Sequence, residues 1–237
     1  SNKTDLSQSL LREAAIQQMA HSVLPNMVPK VRGFISVRDP LNKFFQCGLV
    51  TDFVPRKDGS LSSLSLYDAV YYEKTLGKTN EHLFTGEMWM NIFKRLAQGF
   101  DTLSKHRLIH NDVKMDNIQL TYRNGEVYPS LIDFGQAICG ETDTNRIPCF
   151  HDLTEQEVAG IIKDCPHVAP EVVREHRCCS NSDVYGMGWM MKETGHMIGH
   201  RKLERLGVLL QNEDVNARAE WPAVINGLEK IMDILEI

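Results

Sequence analysis

The chain has 237 residues, 42% hydrophobic and 24% charged, with 16 glycines and 9 prolines. These proportions exclude collagen-like, low-complexity and disordered character and leave enough chain to bury a core. Lysine and arginine number 26 against 31 acidic residues, and the net charge of -5 offers no field to hold nucleic acid or an anionic lipid surface.

Leu6, Leu10 and Ala14, with Leu11 and Ala15 beside them, mark one face of a helix that the Pro25-Asn26 turn ends. Two strands are expected next, at 28–37 and 44–54, joined by the turn Asp39-Pro40-Leu41-Asn42. The polar stretch Pro55-Arg56-Lys57-Asp58-Gly59-Ser60 marks an expected boundary between a small unit, 1–55, and a helical one, 56–237. Met88, Ile92, Phe93, Leu96, Phe100 and Leu103 recur at helical spacing, which predicts a long helix over 87–105. Strand-like runs at 117–122 and 127–133 flank Asn124-Gly125, a strong type I′ hairpin signal. A turn there pairs Arg123 with Glu126 and sets Asn117 opposite Ile132, next to Asp133. Pro129 calls for an edge strand or a one-residue slip. Either way an amide and a carboxylate converge at the open end of the hairpin. Met187, Trp189, Met190 and Met191 read as the core of a central helix. Trp221 and Pro222 open a last one, with Val224, Leu228, Ile231 and Leu235 on its apolar side.

The hairpin is preceded by His110-Asn111-Asp112-Val113-Lys114-Met115-Asp116-Asn117 and followed by Asp133-Phe134-Gly135. This order resembles the catalytic loop H-R-D-L-x-x-x-N and the D-F-G motif of eukaryotic protein kinases. Ala169-Pro170-Glu171 matches their A-P-E, and Ser182-Asp183-Val184-Tyr185-Gly186-Met187-Gly188 is similar to the start of the central helix of the large kinase lobe. Upstream, Leu11-Arg12-Glu13-Ala14 resembles the regulatory helix, and Thr51-Asp52-Phe53-Val54 stands in the place of the hinge. The resemblance covers nearly the whole chain. It implies an α+β, two-lobed, protein-kinase-like fold with a truncated small lobe and a mainly helical large lobe.

It also implies roles. Asp112 would orient an acceptor hydroxyl and take its proton, and Lys114 would sit against the moving phosphoryl group. Asn117 and Asp133 would hold Mg²⁺ on the phosphates of ATP, hard oxygen ligands for a hard ion. Glu13, Thr51, Asp52, Val54 and Gln119 fall at positions that line the nucleotide site. Lysine two residues after Asp112 is the serine/threonine pattern, so a protein hydroxyl is the expected acceptor. A small-molecule phosphotransferase is the weaker alternative, opposed by A-P-E and the central-helix motif.

Several positions depart from the pattern. No Gly-x-Gly-x-x-Gly occurs, and before Glu13 stands only Lys3, too near to be its strand partner. The first strands are expected either upstream of Ser1 or lost. Asn111 replaces an arginine and cannot pair with a phosphate as a guanidinium does. Gln17 falls where an apolar residue usually packs, and Gln119 under the expected adenine floor. Each reads equally as an ordinary residue, Gln17 facing solvent and Gln119 bonded to a strand neighbour. Asp164 stands where a threonine is usual, a position from which it could reach Lys114 and either brake the site or simply hold the loop. Leu153, Val158, Ile161 and Ile162 form a helical pattern that suggests an inhibitory lid. The short interval from Asp183 to Arg218, the expected ion-pair partner of Glu171, suggests a lost docking helix. These departures keep open a second class of function, a pseudokinase acting as a scaffold or regulator of a protein partner.

Cys139, Cys149, His151, Cys165, His167, His176, Cys178 and Cys179 crowd the same region. Their spacing is loose for zinc and fits free thiols and ordinary histidines better. No apolar run approaches the ~18 residues of a membrane span, and the opening Ser1-Asn2-Lys3-Thr4-Asp5 lacks the pattern of a signal peptide. A cytosolic or nuclear location with reduced thiols is expected.

Overall fold

The computed structural model describes residues 2–38, 45–54, 64–76, 82–140 and 153–233. Helix α1 (Asn2–Val23) leads into a two-stranded antiparallel ribbon, β1 (Val31–Arg38) and β2 (Phe45–Thr51). The buried side of α1 is Ala14, Ile16, Gln17 and Ala20, whereas Leu11 is 57% exposed and Ala15 is exposed too. Apolar residues lie all around this helix, so periodicity finds Ala14, with Leu10 half-buried, but sets Leu11 and Ala15 on the covered face where the core takes Ile16, Gln17 and Ala20. Gln17 does not face solvent. It is buried and its Nε2 donates to the Pro29 carbonyl at 2.9 Å, which offsets the cost of burying the amide. The turn expected at 39–42 and the boundary expected at 55–60 lie outside the described residues.

From β3 (Leu64–Ser65) and α2 (Leu66–Leu76) onward the chain is mainly helical. Helix α3 (Gly86–Lys105) starts where Thr85 Oγ1 accepts from the Met88 N–H, satisfying one of the free donors of the first turn. Its stripe of Ile92, Phe93, Leu96, Phe100 and Leu103 is buried, and each such side chain stabilises the fold by roughly 1.5–3 kcal/mol. Trp221, which opens α8 (Trp221–Asp233), stacks on Phe100 at 5.2 Å and donates from Nε1 to Ser180 Oγ. Val224, Leu228 and Ile231 are buried with it.

Between α3 and the next helices lie β4 (Leu108–Ile109), β5 (Ile118–Arg123), β6 (Glu126–Leu131) and β7 (Ile138–Cys139). β5 is the centre of an antiparallel sheet ordered β3-β5-β6, and β4 pairs with β7. Helices α4 (Glu155–Asp164), α5 (Pro170–Arg174), α6 (Ser180–Met197) and α7 (Arg201–Leu210) complete the order before α8. Thr154 and Glu157 form a capping box at the start of α4, whose residues are exposed or half-buried. Met187, Met190 and Met191 of α6 are fully buried, as expected of a core helix. The interval between Asp183 and Arg218 holds α7, laid closely against α6. A Cβ at Gly207 would press into the backbone of Lys192 and stand 2.6 Å from the Gly188 carbonyl oxygen. Gly207→Ala is therefore expected to lose roughly 1–3 kcal/mol in denaturant unfolding, and unchanged stability would show that the two helices can part freely. Among the described residues no helix is long and apolar enough to cross a membrane.

Candidate active site

Two short strand pairs bring the chemical residues together. The Asn124-Gly125 turn has positive φ at both positions, 51° and 88°, and pairs Arg123 with Glu126 and Ile118 with Leu131. The Ile132 N–H then donates to the Asn117 carbonyl at 3.0 Å. The register expected from the sequence is the one found, and Pro129 sits on the edge strand β6 without a slip. The second pair, β4 with β7, closes on the same place from the other side: β4 ends just before His110 and β7 begins shortly after Gly135. Loop 110–117 and loop 132–137 are thus clamped by the same two ladders.

Asp112 is the centre of the first loop. Its Oδ2 accepts from Lys114 Nζ at 2.7 Å and from Asn117 Nδ2 at 2.9 Å, and Asn117 Nδ2 also donates to the Asp112 carbonyl. Its Oδ1 lies 3.3 Å from His167 Nε2. Burial alone would raise this carboxyl, but the hydrogen bonds from His167, Lys114 and Asn117 and the charge of Lys114 outweigh it and hold Asp112 well below the usual range. Lys114 loses something to burial and gains more from Asp112, so its ammonium is raised. Both are charged at neutral pH.

The loop is anchored to α6 through Asp183. This buried carboxylate accepts from the His110 N–H at 2.8 Å and the Asn111 N–H at 2.7 Å. Burial pushes it up to about 7, the two N–H groups pulling against that and the charge of Asp112 adding to it. Asn111 takes up a left-handed conformation, φ 62°, which asparagine tolerates better than most residues. His110 is buried and its Nε2 faces the Ile132 carbonyl at 3.1 Å. A carbonyl only accepts, so Nε2 carries the proton. Burial lowers this imidazole, keeping it neutral. His110 thereby ties the first loop to the residue before Asp133.

Asp133 itself is exposed and left-handed, φ 61°, with Oδ1 accepting from the Gly135 N–H at 3.2 Å. Glu13 of α1 approaches from the other side of Gly135. A Cβ there would come within 3.1 Å of Asp133 Oδ1 and 3.7 Å of Glu13 Oε2, so the glycine leaves the space between the carboxylates clear. Burial, with the charge of Asp133, raises the Glu13 carboxyl. Arg12 Nη2 donates to the Ala137 carbonyl at 2.8 Å and fastens α1 to this stretch.

The remaining residues are placed differently. Thr51 ends β2, and Asp52 pairs with Arg32 at 2.5 Å and 3.2 Å on the surface. Asp52 and Val54 line a groove of about 290 Å³ with His21, Pro29 and Arg123, to which Asp112, Asn117 and Asp133 do not contribute. Gln119 lies in the central strand opposite Ser65 and Ser130. Its Oε1 is buried without a hydrogen-bond partner among the described residues, contrary to the expected bond with a strand neighbour.

Lys114 bonds Asp112, while Asp164 is exposed at the end of α4. The residue from that region that meets the loop is His167, which sequence reasoning noticed only as one of many histidines and cysteines. Among the described residues no three His, Cys, Asp or Glu side chains gather as a metal site, and Cys149 and His151 lie outside them. Cys178 is buried, its thiol pushed up to about 12 by burial and then by neighbouring charges, so it behaves as a small apolar residue. The A-P-E glutamate finds its expected arginine. Arg218 forms a two-pronged pair with Glu171, at 2.8 Å and 3.1 Å, and Ser182 Oγ donates to the same carboxylate.

Comparison with known proteins agrees with this geometry. The family model for the protein kinase domain matches residues 2–208. The chain is 31% identical over 121 residues to serine/threonine-protein kinase CAK1 of Saccharomyces cerevisiae, covering 47% of this chain and 31% of that protein. It is 31% identical over 104 residues to dual specificity protein kinase zak2 of Dictyostelium discoideum, covering 44% and 15%. A match of 26% over 238 residues, 99% of this chain and 32% of the relative, is to the putative L-type lectin-domain containing receptor kinase V.8 of Arabidopsis thaliana. The aligned region thus spans about a third or less of the length of these relatives. Motif order, the clamped loops and a match over most of its length together make this chain a member of the eukaryotic protein kinase superfamily, with a mixed α/β kinase fold.

Proposed function

We propose that this kinase domain transfers the γ-phosphoryl group of ATP, with Mg²⁺, to a serine or threonine hydroxyl of a protein. The observation that carries the reading is the Asp112 carboxylate, held ionised by His167, Lys114 and Asn117 in a loop clamped beside the one that carries Asp133. Phosphoryl transfer needs positioning and charge neutralisation more than covalent help. A carboxylate held well below neutrality is a weak base, suited to orienting the acceptor hydroxyl and receiving its proton late. The acceptor oxygen bonds to the γ-phosphorus as the bond to the bridging oxygen breaks, and ADP leaves with that electron pair. Lys114, already beside Asp112, is placed to face the charge of the moving group.

The donor set suits Mg²⁺. Asn117 uses its Nδ2 on Asp112, which leaves its amide oxygen for a cation, and Asp133 presents an exposed carboxylate with Glu13 nearby. When bound, Mg²⁺ supplies neutralisation of phosphate charge. The Oε1 of Gln119, buried without a hydrogen-bond partner among the described residues, is an acceptor suited to an amino group of a nucleobase. Mg-ATP at about 100 times its Kd is expected to stabilise the chain by about 2.7 kcal/mol, raising Tm by about 5 °C or more. Asp133→Asn should lose most of that shift, and so should ATP with the metal chelated. Equal shifts with and without metal would remove Asn117 and Asp133 from nucleotide binding.

One feature favours the rival reading, a pseudokinase that binds a protein partner without turnover. Burial first, and then the like charge of Asp133, raises the Glu13 carboxyl, and among the described residues no lysine pairs with it as the resemblance calls for. A folded chain with no Mg-ATP shift and no transfer would favour this alternative.

A further inference from the structure

We infer that His167 is a positioning residue for the Asp112 carboxylate, coupling the segment before A-P-E to the proton acceptor of the reaction. The inference deepens the role proposed for Asp112 and rests on it.

The two oxygens of Asp112 are used unequally. Lys114 and Asn117 come from the same loop as Asp112 and both engage Oδ2, whereas Oδ1 meets only His167 Nε2, at 3.3 Å, among the hydrogen bonds of the described residues. An ionised carboxylate only accepts, so the Nε2–H donates. This leaves Oδ1 with a lone pair free for an incoming hydroxyl, and the histidine fixes the plane in which that lone pair lies. Two bonds to Oδ2 alone would let the carboxylate turn about its own axis.

His167 is itself held from the core. Its ring packs on Trp189 of α6 at 5.5 Å, and its side chain is only 14% exposed. The preceding carbonyl, of Pro166, accepts from Gln211 Nε2 at 3.4 Å beyond α7. Gly186 of α6 explains how the two segments come so close. A Cβ there would lie 2.8 Å from the Val113 carbonyl oxygen and 3.2 Å from that of His167. The catalytic loop and the His167 turn therefore rest on one point of a rigid helix. The spacing of His167 from Asp112 is set by α6 rather than by either loop.

The test compares His167→Phe, which keeps an aromatic ring against Trp189 and removes the donor, with His167→Gln, which restores one. Turnover of a serine peptide by His167→Phe is expected to fall about 10-fold or more, since misplacement of a catalytic group by an ångström costs up to roughly 100-fold. KM for Mg-ATP should stay within about twofold, and His167→Gln should recover most of kcat. The second readout is independent of turnover. In ¹⁵N NMR the His167 ring of the wild-type chain is expected in the single Nε2–H form, and Asp112→Ala should release it to a mixture of tautomers. Wild-type kcat in His167→Phe, or a loss of kcat that glutamine does not rescue, would overturn the inference. In a chain without turnover the NMR result decides alone, and a His167 tautomer indifferent to Asp112→Ala overturns it. Failure of the role proposed for Asp112 shows separately, as unchanged turnover in Asp112→Asn.

Discussion

Arg218→Ala is expected to lower Tm by about 10 °C, equivalent to about 3–5 kcal/mol for a chain of this size. The guanidinium is fully buried and Glu171 is 6% exposed. Truncation leaves that carboxylate with Ser182 as its remaining side-chain donor, and strands the Asn181 and Asn212 carbonyls that Arg218 also serves. An uncompensated buried charge is far more costly than an apolar pair of the same shape. Glu171→Leu combined with Arg218→Met should therefore be more stable than Arg218→Ala alone. Thermal unfolding followed by circular dichroism checks both. A change of only a degree or two in Arg218→Ala would mean that the pair is not the anchor of α5. The effect reaches the site, because α5 begins three residues after His167.

Local signals made part of this structure legible. Asn124-Gly125 fixes its hairpin through the positive φ that both residues adopt, and once the turn is set, counting outward puts Asn117 beside Ile132. The apolar stripe of α3 was equally plain, since Ile92, Phe93, Leu96, Phe100 and Leu103 all fall on one side of 3.6-residue periodicity. On helix α1 the pattern is ambiguous for the converse reason: Leu11 and Ala15 are as apolar as Ala14 and Ala20, and only the core decides which pair is covered. Gln17 was ambiguous because its bond partner, the Pro29 carbonyl, is a backbone atom that no side-chain pattern encodes. His167 reaches Asp112 across 55 residues, through a turn resting on α6, and nothing in the spacing of either motif announces that meeting. The role of Gly186 as spacer was hidden likewise. Glycine in a helical motif has several readings until its neighbours are known.

Asp112→Asn is expected to reduce phosphoryl transfer by about 1,000-fold, within the 10²–10⁴ range of positioned acid–base groups. The amide keeps the shape and one acceptor oxygen, so the fold and the bond from His167 or Lys114 can persist. It loses the charge that, in the proposed reaction, receives the hydroxyl proton. A neutral side chain also removes the charge that pairs with the Lys114 ammonium, 2.7 Å away in the wild-type chain. Binding of Mg-ATP should change little, because Asn117 and Asp133 are intact, and this separates the catalytic loss from a failure to load nucleotide.

The most direct measurement is transfer of labelled γ-phosphoryl from ATP to a serine-containing peptide, by wild type and Asp112→Asn, with Mg²⁺ and with the metal chelated. Label is expected on serine only for the wild-type chain with Mg²⁺, and close to background in the other three reactions. Equal labelling by the two proteins, or none by a folded wild-type chain that binds Mg-ATP, would contradict the proposed reaction.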